Sequence, residues 1–433
     1  MGIRGKSATM CVGRNFMKAA VITIGDEILL GQILDTNSRF LAKGLTQCGA
    51  EVVKMYTVSD NKSAILSALA DAFNQAEIVL VTGGLGPTKD DITKAALAEF
   101  WGTSVSLNKQ AENWLQEMFA DCPERLNAAN QTQAFLPNGC LPLHNRRGTA
   151  CGMWFERGEK ILVSLPGVPF EAEGLWQEEV FPRLKEHCKN SLLEYRMITV
   201  LEIPEAQLAM RLSRFEEKKP SGVALAYLPA AGYVRLRLTA KGKEVQLLED
   251  CFDFLKQELN GLRFVVSSEE DSAEKIFISR IAQSGFKVAC AESCTGGNIA
   301  RLLTEQAGAS AYFVGGVVAY CNDVKQKILG VNKADLEKYG AVSEAVALQM
   351  AQGVRRLTGA DFAVSTTGIA GPSGATAQKP VGTVWIAVAG PKGAKAEKFL
   401  FSRTRERNIA KSSVKALEML ADAVWKQTNS PNA

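Results

Sequence analysis

Lys18-Ala-Ala-Val-Ile-Thr-Ile-Gly25 is an unbroken run of small and β-branched apolar residues that stops at a glycine, the pattern of a strand buried on both faces. Thr36 to Cys48 follows with helical periodicity and Gly49 as its stop, then Glu51 to Val58 as a second strand. Ser63 to Asn74 reads as a second helix and Glu77 to Thr82 as a third strand. Strand and helix alternating at such short intervals predict a doubly wound α/β sheet, with ligands in the crevice beyond the carboxyl ends of its strands.

Beyond residue 196 the texture changes. Val223 to Leu228 and Tyr233 to Thr239 read as strands flanking Pro229-Ala-Ala-Gly232, and Val245 to Leu259 as a helix, making a small α+β module. Ser267-Ser-Glu-Glu-Asp-Ser272 reads as a linker ending in a helix cap, with Ala273 to Gln283 helical and Gly285 its stop. Alternation then resumes, with strands near 286–290, 315–320, 361–366, 383–389 and 396–401 and helices near 294–306, 343–357 and 406–427. A chain of 433 residues exceeds one hydrophobic core. The expected division is 1–16 as a disordered extension, 17–185 as the first α/β domain, 186–266 as the α+β module and 267–433 as a second α/β domain.

Composition narrows the function. Charged residues are 22% and apolar residues 46%, ordinary for a globular protein, and the net charge of +4 comes with no long basic run, so nucleic acid is not implied as a partner. Ten cysteines lie scattered without a CxxC pair and only His144 and His187 add imidazole, which argues against a thiolate or histidine metal site and against a disulfide framework. No apolar stretch reaches the roughly 18 residues of a bilayer span, and the first sixteen residues lack the apolar middle of a secretion signal. A cytoplasmic protein is expected, with no membrane partner.

The chemistry concentrates near the start of the last third. Lys287-Val-Ala-Cys-Ala-Glu-Ser293-Cys-Thr-Gly-Gly297 reads as a buried strand delivering a hydroxyl to the first turn of a helix, where backbone N–H groups lack intrahelical partners. Ser293 there is either a nucleophile or a helix cap. In Gly315-Gly-Val-Val-Ala-Tyr320-Cys-Asn322-Asp-Val-Lys325 a β-branched run ends in Tyr, Asn and Lys. Lys325 serves as a base only if desolvation or a neighbouring cation lowers its pKa; taken alone it reads as a solvated charge. It lies 325 − 293 = 32 residues from Ser293, so the two meet only through the fold. Thr366-Thr-Gly368-Ile-Ala-Gly371-Pro-Ser373-Gly374, before Lys379-Pro-Val-Gly382-Thr383, reads as a binding loop or a connector.

Glu292-Ser-Cys-Thr-Gly-Gly297, Tyr320-Cys-Asn-Asp-Val-Lys325, Gly340-Ala-Val-Ser-Glu344, Gly368-Ile-Ala-Gly-Pro372 and Lys379-Pro-Val-Gly-Thr383, in that order, resemble the CinA carboxy-terminal domain, the nicotinamide-nucleotide amidase module also called PncC. The resemblance implies hydrolysis of nicotinamide mononucleotide to nicotinic acid mononucleotide and ammonia, without a cofactor. It implies Ser293 as nucleophile, Lys325 as general base and Tyr320 as a supporting hydroxyl in the proton relay. It further implies substrate contacts from Thr295, Gly296, Asn322, Gly368, Gly371 and Arg405, the arginine facing phosphate. The sequence departs from the family pattern at Pro372-Ser-Gly-Ala375, at Arg403-Thr-Arg405 and at Ile409, where a second arginine is usual.

In the first sheet, Gly25-Asp26-Glu27, Asp35-Thr36-Asn37 and Thr82-Gly-Gly-Leu-Gly86-Pro-Thr88-Lys-Asp90-Asp91 each follow a strand or open a helix. Glycines there free backbone donors for a phosphate and paired carboxylates suit a hard divalent cation, while Asp35 and Asn37 also read as helix caps and Asp90-Asp91 as complements of a helix dipole. With Arg147-Gly-Thr-Ala-Cys-Gly152 and Leu165-Pro-Gly-Val-Pro169, these motifs resemble the CinA amino-terminal domain of the MoaB/MogA-like molybdopterin-binding folds. That resemblance implies a divalent metal on Asp90 and Asp91, a phosphate loop of Gly83, Gly84 and Gly86 with Thr88, ribose or metal-bound water at Asp26, Asp35 and Asn37, and hydrolysis of ADP-ribose to AMP and ribose 5-phosphate. A molybdopterin- or nucleotide-binding adaptor linked to competence or DNA damage, without turnover, is the alternative. The middle module resembles the family's KH-like region but has Leu201-Glu-Ile-Pro-Glu205-Ala206 and no GxxG loop, so RNA binding is not inferred. A role as spacer and dimer contact is expected, hence a homodimer acting on small nucleotides.

Overall fold

Strand β1 (Lys18–Ile24) is an inner strand of a six-stranded sheet, second from one edge, and its apolar run is continuous because both faces are covered. Ala20 and Ile22 pack with Ile65 and Leu69, whereas Ala19 and Val21 pack with Leu41 and Leu45. Those partners come from α2 (Lys62–Gln75) and α1 (Thr36–Cys48), the latter closed by Gly49 at φ 90° as the sequence predicts. The computed structural model describes residues 17–88, 91–189, 193–267, 272–401 and 404–428, so the expected extension 1–16 and residues 268–271 of the expected linker lie outside the described residues. The chain divides into two units, residues 1–195 with 220–223 and 239–249, and residues 196–219, 224–238 and 250–433.

In the first unit, β2 (Glu51–Val58), β1, β3 (Ile78–Thr82) and β6 (Lys160–Leu165) run parallel, while β5 (Gly152–Arg157) and β4 (Leu141–Leu143) add antiparallel strands, in the order β2-β1-β3-β6-β5-β4. The sheet is therefore mixed at one side, which the alternation did not disclose. Helix α3 (Thr93–Trp101) follows the glycine loop after β3. The chain goes from β1 outward to β2 and returns to β3 on the other flank, leaving a crevice between the ends of β1 and β3.

A four-stranded sheet occupies the middle of the sequence, with β7 (Leu193–Leu201), β8 (Val223–Ala230), β9 (Tyr233–Lys241) and β10 (Phe264–Ser267) in the order β8-β9-β7-β10. Two of its strands were expected; β7 and β10 are additions, and the helix α4 begins at Leu248 and ends at Glu258.

The second unit carries α5 (Ala273–Gln283), β11 (Val288–Glu292), α6 (Asn298–Thr304), β12 (Phe313–Val318), α7 (Asn322–Lys327), α8 (Lys333–Tyr339), α9 (Glu344–Thr358), β13 (Phe362–Gly368), β14 (Thr383–Gly390), β15 (Gly393–Leu400) and α10 (Arg405–Thr428). The sheet order is β12-β11-β13-β14-β15, with the first three parallel and the last two antiparallel. Phe277 and Ile281 of α5 and Leu417 and Leu420 of α10 cover one face, packed with Val288, Cys290, Val364 and Ile386. Val346, Met350 and Val354 of α9 cover the other, against Ala289, Ala291 and Ala363. Again the middle strand β11 is flanked by its successor and by a returning strand, so a second crevice opens between β11 and β13. Helix α6 corrects the sequence reading: it begins at Asn298, not 294, because Ser293 to Gly297 form a turn with Gly296 and Gly297 at positive φ. Among the described residues, no helix is long and apolar enough to cross a membrane.

Candidate functional site

The crevice of the second unit is a cleft of about 270 Å³ lined by Ser293, Cys294, Tyr320, Asn322, Lys325, Thr367, Gly368, Gly371, Ser373 and Arg405, among others. Ser293 follows the last residue of β11, and its N–H donates to the Thr366 carbonyl of β13 at 3.0 Å. Lys325, in α7, is 1% exposed, so the solvated-charge reading does not apply to it. Its Nζ lies 3.1 Å from Ser293 Oγ, 2.6 Å from the Ala319 carbonyl oxygen and 3.3 Å from that of Tyr320. The ammonium donates to all three oxygens; on losing one proton the amine keeps two N–H bonds for the carbonyls and has a lone pair to turn to the serine hydroxyl, as a base requires. Burial pushes the Lys325 pKa below its ordinary value of 10.5, with the Cys321 and Cys294 thiols pulling the other way.

Cys294 borders the same cleft, and its chemistry separates it from the neighbouring hydroxyl. Burial pushes its thiol up to about 12, so it stays protonated and weakly nucleophilic.

Two of the expected site residues direct their side-chain hydroxyls to partners other than the Ser293–Lys325 pair. The Tyr320 side chain is 59% exposed and its hydroxyl accepts from Arg405 Nη2 at 3.0 Å; it is the Tyr320 carbonyl, not the hydroxyl, that touches Lys325. Thr295 is buried with its hydroxyl 2.7 Å from that of Thr366, so it ties the turn to β13, and neither Thr295 nor Gly296 lines the cleft. Arg405 opens α10 and donates Nη1 to the Gly371 carbonyl at 3.0 Å, while Asn408, one turn on, donates to the Ala370 carbonyl at 2.9 Å. These two side chains clamp the glycine loop, and three of the five guanidinium N–H donors remain for a ligand. Asn408 carries no sequence signal beyond its place in the first turn of a long helix. Ile409 packs at the edge of the core, and Arg403 lies outside the described residues.

The first unit's crevice is a cleft of about 240 Å³ lined by Asp35, Asn37, Gly83, Gly84 and Asp91 from the expected set, together with Thr23, Glu27, Asp60, Thr82 and Gly167. Asp26, Gly86 and Thr88 do not line it. Asp35 is the cap of α1: its Oδ1 accepts the Ser38 N–H at 2.9 Å and its Oδ2 the Thr23 hydroxyl at 2.8 Å. Asn37 is no cap; its amide donates to the Thr82 hydroxyl at 2.9 Å and the Gly167 carbonyl at 2.8 Å, joining the ends of β3 and β6. Asp91 Oδ1 accepts the Gly86 N–H at 2.7 Å, and Oδ2 accepts both the N–H and the hydroxyl of Thr88. Asp91 therefore braces its own loop, and Asp90 lies outside the described residues. Among the described residues, which leave out the expected ligand Asp90, no group of three or more His, Cys, Asp or Glu is placed to hold a metal ion. Thr23, Thr82 and Asp60 were legible only through the crevice rule, since they sit at or just beyond the ends of β1, β3 and β2.

Comparison with known proteins finds two family matches, one on each side of the middle sheet's sequence. Residues 20–186 match the family model described as a probable molybdopterin binding domain, and residues 270–424 match that of the CinA C-terminal domain. A CinA-like protein of Flavobacterium psychrophilum is 38% identical over 95% of this chain and 99% of its own length, and one of Cytophaga hutchinsonii is 40% identical over 93% and 97%. Among solved structures, a competence/damage inducible protein from Agrobacterium tumefaciens is 42% identical, covering 36% of this chain and 99% of its own, with a TM-score of 0.34. The chain belongs to the CinA family.

Proposed function

We propose that the carboxy-terminal cleft hydrolyses the carboxamide of nicotinamide mononucleotide, releasing ammonia and nicotinic acid mononucleotide. The observation that carries this reading is the 3.1 Å approach of Ser293 Oγ to a buried lysine amine in a cleft that also holds Arg405. Ser293 Oγ attacks the carboxamide carbon as Lys325 Nζ takes its proton; the tetrahedral adduct collapses, Lys325 returns the proton to the departing nitrogen, and ammonia leaves an acyl ester on Ser293. Water, deprotonated by Lys325, then cleaves the ester and restores the hydroxyl. Arg405 supplies the charge for the ligand's phosphate. The sequence motifs supply the substrate's identity; the dyad supplies the chemistry.

Purified protein is expected to release ammonia from nicotinamide mononucleotide, with kcat/KM rising as pH rises and Lys325 loses its proton. The midpoint of that rise falls below 10.5, because burial disfavours the ammonium. Absence of ammonia at every pH refutes the reading; a midpoint at or above the ordinary lysine value removes Lys325 as the base.

For the amino-terminal cleft we propose binding of a nucleotide- or molybdopterin-type ligand without turnover. Asp35 accepts from Ser38 N–H and the Thr23 hydroxyl, and Asp91 from the N–H groups of Gly86 and Thr88, so the oxygens of these two carboxylates are engaged by the protein itself, which favours this over metal-assisted hydrolysis. Calorimetry with ADP-ribose is expected to show binding, and chromatography of the same mixture with Mg²⁺ or Mn²⁺ to show no AMP. Metal-dependent formation of AMP and ribose 5-phosphate restores the pyrophosphatase reading.

A further inference from the structure

Glu292, the last residue of β11, is 0% exposed, and the proposed reaction gives its carboxyl group no role. Its Oε2 accepts the N–H groups of Gly297 and Ile299, each at 3.0 Å, and its Oε1 accepts the N–H of Ala300 at 2.8 Å and the Cys290 thiol at 3.6 Å. Among the described residues no lysine or arginine pairs with it. A lone buried carboxylate is costly, and the donors at the start of α6, with the positive end of the helix dipole, are what offset that cost. The carboxylate thus closes residues 292–297 into a loop from within, and the nucleophile is the first residue of that loop.

The same residue reaches the base through its main chain. The Glu292 carbonyl accepts the Ala319 N–H at 2.7 Å, and the Ala319 carbonyl in turn accepts from Lys325 Nζ at 2.6 Å. One residue therefore fixes the turn that carries the serine and the peptide that holds the lysine. We infer that Glu292 is a positioning residue, whose buried carboxylate holds Ser293 Oγ within hydrogen-bonding reach of Lys325 Nζ. It rests on the amidase reading for its substrate, whereas the geometry of the dyad stands without it. Glutamine does not replace it, because its amide nitrogen donates and would face N–H groups that need an acceptor. Glu292 acts by geometry and not by tuning the base: burial and the thiols of Cys321 and Cys294 are what shift Lys325.

The test uses the full chain and a fluorophosphonate probe, with which Ser293 Oγ forms a bond to phosphorus, fluoride leaves and Lys325 takes the proton. Mass spectrometry gives the rate of Ser293 modification across pH. Glu292→Gln is expected to slow labelling at least about tenfold, since small misplacements of reacting groups cost up to about 10²-fold. The pH midpoint stays where it is in the unaltered protein, at a temperature where circular dichroism shows both folded. Glu292→Asp keeps the charge but is one methylene short; it is expected to slow labelling less, and it decides the matter if Glu292→Gln fails to fold. Labelling at the unaltered rate in either folded variant, a displaced midpoint, or no labelling of Ser293 in the unaltered protein overturns the inference. Labelling slowed in the variants while the unaltered protein releases no ammonia from nicotinamide mononucleotide sinks the substrate assignment and leaves the positioning role intact. Unchanged labelling alongside ammonia release does the reverse.

Discussion

Lys325→Met is expected to lower kcat for ammonia release by about 10³-fold, within the usual range for loss of a general base, and Ser293→Ala by about 10⁴-fold or more, as for a missing nucleophile. The double variant should fall little further than Ser293→Ala, because two groups sharing one proton transfer act as a unit. Calorimetry with Ser293→Ala is expected to show nicotinamide mononucleotide still bound, since Arg405 and the glycine loop are untouched. Undiminished turnover in either single variant refutes the dyad. Stability supplies an independent check on the lysine. Its folded pKa is depressed below that of the unfolded chain, so between the two values the unfolded state holds more protons and unfolding free energy rises with pH. Lys325→Met removes that contribution, and the stability of the unaltered protein relative to the variant should increase as pH climbs through this window. Chemical denaturation at a series of pH values measures it.

Much of this was legible in the sequence because the residues concerned sit in motifs at strand ends. Lys18–Ile24 discloses a doubly covered strand, and Ser293, Lys325, Gly368, Gly371 and Arg405 all line one cleft. What the sequence withholds is contact made by backbone. Lys325 looks like a solvated charge until the parallel pairing of β11 with β12 brings the Ala319 and Tyr320 carbonyls to its amine. Thr295 looks like a hydroxyl aimed at substrate, yet the register that sets Glu292 beside Thr366 leaves the two threonine side chains facing each other. Asp35 and Asp91 look alike as acidic residues after loops, and their engagement by nearby N–H and hydroxyl groups, Ser38 and Thr23 for one and Gly86 and Thr88 for the other, follows from the path of the chain. The strands β4 and β5 escape notice for simpler reasons: one is three residues long with a central proline, and the other opens with a glycine.

Gly83→Ala is expected to destabilise the amino-terminal unit by about 3 kcal/mol, the sum of a positive-φ penalty near 1–2 kcal/mol and an overpacking cost near 1–3 kcal/mol. Gly83 follows β3 with φ 111°, donates its N–H to the Leu165 carbonyl at 3.1 Å, and accepts the Thr93 hydroxyl at 3.1 Å on its own carbonyl. A Cβ there would collide with the Ile24 carbonyl oxygen at the end of β1, a backbone atom that cannot rotate away. The loop must then lift off β1, the neighbour with which it frames the cleft. Gly102→Ala separates the two costs: φ is 69°, but nothing lies within 4 Å of the added carbon, so only the conformational penalty of about 1 kcal/mol remains. Urea unfolding followed by tryptophan fluorescence, in a background carrying Trp385→Phe and Trp425→Phe, reports on this unit, since the other four tryptophans, Trp101, Trp114, Trp154 and Trp176, belong to it. Equal losses for the two variants would refute the close approach of β3's loop to β1. ADP-ribose binding measured by calorimetry should be lost in folded Gly83→Ala and kept in Gly102→Ala, because only Gly83 lines the crevice between β1 and β3.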